Sequence, residues 1–202
     1  MNHYFSEKPE IKSEKKRIKY TIQNKKFEFI TDNGVFSKSK VDFGTDLMLN
    51  EFLKKNRGLE VEKIKILDIG CGYGVVSVIL KSFYPEISIT LSDVNERALK
   101  LSEENLKKYG INDYYIIKSS AFEKITEKFD VILSNPPIRA GKDIIFKIYS
   151  EAYEHLNENG QFYCVIQTKH GAKSTQKKLM EIFGNCDTVT IDGGYRIFLS
   201  KK

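Results

Sequence analysis

Apolar residues recur along this chain at two periods, and the period switches from stretch to stretch. Over Arg17–Ile22 and Lys26–Ile30 they fall at alternate positions, with Gln23-Asn24-Lys25 between, which predicts a short hairpin. Thr31-Asp32-Asn33-Gly34 breaks that pattern, and Gly34–Phe43 reads as an irregular loop carrying Phe36 and Phe43. Leu47, Met48, Phe52 and Leu53 then return at helical spacing, with Thr45 or Asp46 as the cap.

From Lys63 onward strands and helices alternate. Strands are predicted at Lys63–Leu67, Ile87–Leu91, Tyr114–Ile117, Phe129–Leu133 and Gln161–Gln167. Helices are predicted at Gly74–Phe83, Asn95–Tyr109, Lys142–Leu156 and Ala172–Phe183, with Gly110 as a C-cap and Asn159-Gly160 as a stop. Thr188–Ile191 and Arg196–Leu199 flank Asp192-Gly193-Gly194, a hairpin signal. Alternation of this kind implies a doubly wound α/β fold: a mostly parallel, Rossmann-like, seven-stranded sheet ending in an antiparallel hairpin. Residues 1–44 read as an N-terminal β extension with a substrate-side loop, and residues 45–202 as the α/β domain.

Composition narrows the class. A chain of 202 residues suits one domain. Met1–Glu14 is polar, unlike a secretory leader, and no apolar run is long enough to span a membrane. Cys71, Cys164 and Cys186 are odd in number and lack metal spacing, so neither a disulfide framework nor a metal site is expected. A reduced, cytoplasmic protein is the default. His3, His155 and His170 have no ligand spacing and read as incidental. The formal net charge is +6, and eight Lys/Arg against four Glu place +4 of it in residues 1–30. A polyanionic partner fits that balance.

Two motifs carry chemistry. The first is Asp68-Ile69-Gly70-Cys71-Gly72-Tyr73-Gly74, between a predicted strand and a predicted helix, the context of a nucleotide loop. Glycines let the backbone approach a ligand. Asp93 ends the next strand, where a carboxylate accepts from both ribose hydroxyls. The spacing is not that of a dinucleotide loop, and Asp68 would repel a pyrophosphate while suiting an ammonium. The second motif is Asn135-Pro136-Pro137, at the carboxyl edge of the fourth strand of the α/β domain. Two prolines fix φ and remove donors, which leaves carbonyls and the Asn135 side-chain oxygen facing outward. The Asn135 oxygen and the Pro136 carbonyl suit the two N–H groups of a conjugated amine and aim its lone pair. No strong base is required, so Asp130 reads as a strand-edge residue.

The glycine loop resembles motif I of the class I S-adenosylmethionine-dependent methyltransferases. Together with Asn135-Pro136-Pro137-Ile138-Arg139-Ala140-Gly141-Lys142 and the segments Gly34-Val35-Phe36-Ser37 and Val41–Leu49, it is similar to the single-domain form of the small-subunit ribosomal RNA guanine-N2 methyltransferases. That resemblance covers roughly residues 30–200. It implies S-adenosylmethionine as cofactor, with Asp68, Gly70, Cys71, Gly72 and Gly74 at its methionine end. It also implies Asp93 at the ribose, and Val94, Asn95, Ser120 and Ala121 at the adenine. Asn135, Pro136 and Pro137 become the catalytic turn, with Asn135 also touching cofactor. Phe36, Phe43, Thr45, Ile138, Arg139 and Lys142 become the substrate side. Relatives often have an acidic residue at Ser120 and an aromatic at Ile138, so stacking on a flipped base must come from Phe36, Phe43 or Arg139.

RNA is the expected partner, with no membrane and no metal. Arg139, Lys142, Lys169, His170, Lys173, Lys177 and Lys178, together with the basic N-terminus, would form a phosphate-binding rim. Alternatives stay open at this level: a protein glutamine-amide methyltransferase, a cofactor-binding RNA module without turnover, and a DNA adenine methyltransferase, which lacks a recognisable target domain here.

Overall fold

The computed structural model describes residues 9–56 and 64–202. Lys63, the start of one predicted strand, lies outside them, as do Lys8 and His3. In chain order the elements are β1 (Lys16–Ile22), β2 (Lys25–Thr31), α1 (Phe43–Lys55), β3 (Lys65–Ile69), α2 (Val75–Phe83), β4 (Ser88–Asp93), α3 (Glu96–Lys108), β5 (Tyr115–Lys118), β6 (Phe129–Ser134), α4 (Lys142–Glu154), β7 (Leu156–Gln167), α5 (Ala172–Phe183), β8 (Asp187–Asp192) and β9 (Tyr195–Lys201). Single 3₁₀ turns follow β6 at Ile138–Ala140 and β7 at Thr168–His170.

The main sheet runs β5-β4-β3-β6-β7-β9-β8. The first five strands in that order are parallel, and β9 is antiparallel to both neighbours. Strand order reverses between β3 and β6, which leaves a crevice beyond their carboxyl ends. Both motifs leave the sheet there. The central strands are apolar on both faces because both faces are covered. Ile66, Val131, Leu133, Tyr163 and Val165 pack with α1, α2, α3 and the hairpin. Leu67, Ile132, Phe162, Cys164 and Ile166 pack with α4 and α5.

Several boundaries differ from those expected. Asp42, not Thr45 or Asp46, caps α1, accepting from the Thr45 N–H at 3.1 Å. The first hairpin turns on two residues, Gln23 and Asn24, both at positive φ, which matches the strand twist. α4 ends at Glu154, and β7 begins before Asn159-Gly160 rather than after it. Its register jumps from Leu156 opposite Phe129 to Gln161 opposite Val131, so the Asn-Gly pair sits in a bulge, not at a helix stop. Asp130 is structural as expected, accepting from Lys65 N–H at 2.9 Å and the Asn157 amide at 2.7 Å.

The N-terminal hairpin is bolted to the domain. An isolated two-stranded hairpin is marginal in water. Here side chains of α3 satisfy the free edge of β2. Buried Asn105 accepts from Ile30 N–H at 2.7 Å and donates to the Ile30 carbonyl at 2.9 Å and the Tyr73 carbonyl at 2.8 Å. Tyr20 Oη donates to Asp46 at 2.6 Å, tying β1 to α1. The hairpin tip points away from the crevice: Lys25 Nζ reaches the Ser82 carbonyl at the carboxyl end of α2, whereas the glycine loop is at its amino end. Lys15, Lys16 and Arg17 also pair with Glu104, Glu14 and Glu28. The hairpin tip with Lys25 therefore lies away from the phosphate-binding rim expected of the basic N-terminus, because the hairpin's apolar face packs on the domain.

Replacing Asn105 by Ala strands three backbone groups, the buried Tyr73 carbonyl and the half-buried Ile30 N–H and carbonyl. Urea unfolding of Asn105→Ala is expected to show a loss of about 2–4 kcal/mol; a loss below about 1 kcal/mol would mean the hairpin is held by apolar packing alone.

Candidate functional site

At the carboxyl edge of β3 and β6 a cavity of about 600 Å³ opens, within the usual range for small-molecule sites. It is lined by the glycine loop, the end of β4, residues 119–121 and the Asn-Pro-Pro turn. An adjoining pocket of about 50 Å³ reaches Asp68, Cys71 and Thr45.

The loop glycines divide their work. Gly70 and Gly72 have φ of 75° and 56°, and a Cβ on either would meet nothing within 4 Å. Their bare backbone faces the cavity. Gly74 instead faces away: its Cβ would lie 3.0 Å from Ser102 Cα, so it permits α2 and α3 to approach. It packs the loop and does not line the cavity.

Two acids sit at the loop, and among the described residues neither has a cation partner. Asp68 is 3% exposed and accepts from Ser77 Oγ at 2.7 Å. Burial pushes its carboxyl up to about 7; the Ser77 hydroxyl opposes this and neighbouring Asp93 adds to it. Asp93 accepts from Gly72 N–H and Asn95 N–H, each at 2.9 Å. Burial raises it to about 6 despite those bonds. Two desolvated carboxylates beside bare glycine backbone suit a ligand that carries positive charge and hydroxyl donors.

The Asn-Pro-Pro turn is oriented from the other side of the crevice. Asn135 Nδ2 donates to Asp42 Oδ2 at 3.0 Å and to Thr45 Oγ1 at 2.9 Å. A carboxylate only accepts, so the amide nitrogen must face Asp42, and Oδ1 is the end left for the cavity. The Pro137 carbonyl is taken by Ala140 N–H at 2.8 Å. The Pro136 carbonyl, among the described residues, has no partner. Two acceptors, Asn135 Oδ1 and Pro136 O, thus remain on adjacent residues.

Most residues singled out from sequence meet at these walls. Gly70, Gly72, Asp93, Val94, Ser120, Ala121, Asn135, Pro136 and Pro137 line the cavity with Phe36, Ile138 and Arg139. Three do not. Asn95 is buried beneath, capping α3 and donating to the Gly34 carbonyl at 2.8 Å. Phe43 packs against Tyr195 instead, with ring centres 5.6 Å apart. Lys142 opens α4 as an exposed residue off the wall. Conversely, Asp42, Gln167 and Tyr195, which the sequence does not mark as site residues, line the cavity, and so does His170, expected only in the phosphate-binding rim. Asp42 was findable as an acidic N-cap three residues before Thr45. Tyr195 and Gln167 carried no local signal.

Because Asp68 is raised from 3.8 in the fold, its contribution to stability is present below that value and fades as pH rises toward 7. Thermal melts of the ligand-free protein are expected to show wild type and Asp68→Asn alike near pH 4, with the variant more stable by about 5 °C near pH 8. A difference that does not change with pH would refute the shift.

With this geometry in place, the chain can be compared with known proteins. Residues 26–199 match the methyltransferase small domain family. The chain is 43% identical over 202 residues to the YbxB protein of Bacillus subtilis, covering 99% of this chain and 98% of that protein. It is 32% identical over 169 residues to ribosomal RNA small subunit methyltransferase C of an Enterobacter species. That match covers 82% of this chain and 46% of the relative, so the chain spans about half the relative's length. Among solved structures, the Thermus thermophilus 16S rRNA N2 G1207 methyltransferase, in complex with AdoMet and guanosine, superposes with a TM-score of 0.84 at 23% identity, over 96% of this chain and 52% of that one. The chain belongs to the methyltransferase small domain family and is a class I S-adenosylmethionine-dependent methyltransferase.

Proposed function

We propose that this enzyme methylates an exocyclic amino nitrogen of RNA, namely guanine N2 of small-subunit ribosomal RNA. The observation that carries the reading is the Asn135 amide, held by Asp42 and Thr45 with its acceptor end toward the cavity. A guanine N2 amine is a weak nucleophile because its lone pair is delocalised into the ring. Asn135 Oδ1 and the Pro136 carbonyl would accept its two N–H groups and turn the lone pair toward the glycine loop. This is positioning and electrostatic stabilisation, worth roughly 10²–10³ in rate per such contact. No side chain is asked to act as a strong base, since the nitrogen sheds its proton to water once alkylated.

The cofactor reading uses the opposite wall. S-adenosylmethionine, when bound, supplies an electrophilic methyl group on sulfur. Asp68 would face the ammonium of the methionine moiety, Asp93 the ribose hydroxyls, and Val94, Ser120 and Ala121 the adenine. Cys71 would sit beside the methionine arm as part of the smaller pocket. Names of relatives support the substrate class: the Enterobacter and Thermus proteins are both ribosomal RNA methyltransferases, the latter at guanine N2.

Charge supports RNA as well. Arg139, which lines the cavity, and Lys142, Lys169, Lys173 and Lys177 are exposed on the two segments that follow β6 and β7. Among the described residues none of the five has a carboxylate partner. Uncompensated cations on one rim are what a phosphate backbone requires.

Label from S-adenosylmethionine is expected to enter unmodified small-subunit RNA and not protein. Asn135→Ala is expected to lower kcat at least about 100-fold with cofactor affinity held. Asp42→Ser keeps a helix cap but is too short to reach Asn135, so kcat is expected to fall about tenfold with little change in Tm. Full activity in Asn135→Ala, or label in protein alone, would refute the reading. In RNA-binding titrations, Lys169→Ala and Lys173→Ala are each expected to reduce the salt slope by about 1, whereas Lys26→Ala leaves it unchanged.

A further inference from the structure

Two unassigned residues stand side by side on the cavity wall. Gln167 ends β7, Tyr195 begins β9, and the two are direct partners in the antiparallel ladder. Residues opposed in such a ladder project to the same face. Both line the cavity, as does Asn135.

The Tyr195 ring is seated on bare backbone. A Cβ at Gly44 would lie 2.9 Å from its Cδ1 and Cε1, so only glycine admits the ring there. Phe43 backs it at 5.6 Å, tilted by 50°. Burial, and then the nearby Asp42 carboxylate, raise the Tyr195 hydroxyl above its ordinary value. The ring therefore shares the corner in which Asp42 holds Asn135.

Gln167 is distinguished by what it lacks. Among the described residues its side-chain amide has no hydrogen-bond partner, although Asn135 and Asp42 on the same wall are both bonded. It is half-buried, at a point where the chain turns into the 3₁₀ turn Thr168–His170. An amide facing a cavity offers one acceptor and two donors in a plane.

We propose that Gln167 and Tyr195 form the base-recognition wall of this site, with Tyr195 as the stacking platform and Gln167 as the reader of guanine N1–H and O6. The inference rests on the guanine-N2 reading given above. Along one edge guanine carries its N2 amine, the N1–H donor and the O6 acceptor. With the amine held by Asn135 and Pro136, the next two groups call for an acceptor and then a donor. A primary amide supplies that pair, Oε1 to N1–H and Nε2 to O6. Adenine and cytosine carry their amine beside a ring nitrogen that is an acceptor, so they satisfy at most one of the two. A protein glutamine amide has no such edge. Ile138 offers contact but no π face, and Tyr195 supplies the ring that a base extruded from RNA stacks on.

The test is methylation of unmodified small-subunit RNA, read by nucleoside mass spectrometry, with S-adenosylmethionine affinity and Tm measured on each variant. Wild type is expected to make N2-methylguanosine. Gln167→Leu is expected to lower kcat/KM about 10–100-fold with cofactor affinity and Tm unmoved. Gln167→Glu, which keeps an acceptor but loses the donor to O6, is expected to fall by about tenfold or more and serves if the Leu variant melts early. Tyr195→Phe is expected to retain about tenfold more activity than Tyr195→Leu, because the ring is kept. If wild type makes N2-methylguanosine and either Gln167 variant stays within twofold of it, the wall is refuted and the functional reading stands. If wild type makes none, the functional reading falls and the wall with it.

Discussion

An amide side chain has chemically opposite ends, and what the Asn-Pro-Pro turn offers depends on which end of Asn135 faces the cavity. Proline geometry cannot decide that, because it fixes the backbone and leaves the amide free to turn. The decision is made by the Asp42 carboxylate, 93 residues away in sequence, with Thr45 as a second acceptor. The same Asp42 oxygen caps α1, so the start of that helix and the orientation of Asn135 are a single arrangement. α1 is in turn tied to β1 by Tyr20 and Asp46. The N-terminal extension is thus a structural arm that sets the angle of a side chain on the far side of the crevice.

Opposite that turn, the fold carries an electrostatic debt that a ligand would settle. Asp68 and Asp93 lie in the same desolvated corner, and both are held above the ordinary carboxylate range. Buried like charges without a cation are rare because desolvation and repulsion act together. Functional sites are where a fold tolerates such conflict. The glycine loop leaves its backbone open just there. The same sequence thus places open acceptors on one wall of the cavity and raised acids on the other.

The charge distribution changes the meaning of the +6 excess. Counted along the chain, it concentrates at the N-terminus. In three dimensions much of the described N-terminal charge is paired with glutamates or turned to the far end of α2. Among the described residues, Arg139, Lys142, Lys169, Lys173 and Lys177, on the segments after β6 and β7, have no carboxylate partner, and Arg139 lines the cavity. Lys169 and Lys173 therefore carry more of the case for a polyanion than the hairpin does.

Sequence by itself determined the strand and helix order and the two motifs at the carboxyl ends of their strands, because apolar period, glycine φ and proline geometry are all local. It also assigned Asp130 to structure. It misplaced the α1 cap by three or four residues, since Asp42, Thr45 and Asp46 compete within about one turn. It also took Asn159-Gly160 for a helix stop, when a bulge against β6 uses the pair instead. What only the tertiary structure decided was which distant side chains share a corner: Asp42 with Asn135, Gly44 under Tyr195, and Gln167 beside Tyr195. Those pairings come from helix packing and antiparallel register, which no local pattern encodes.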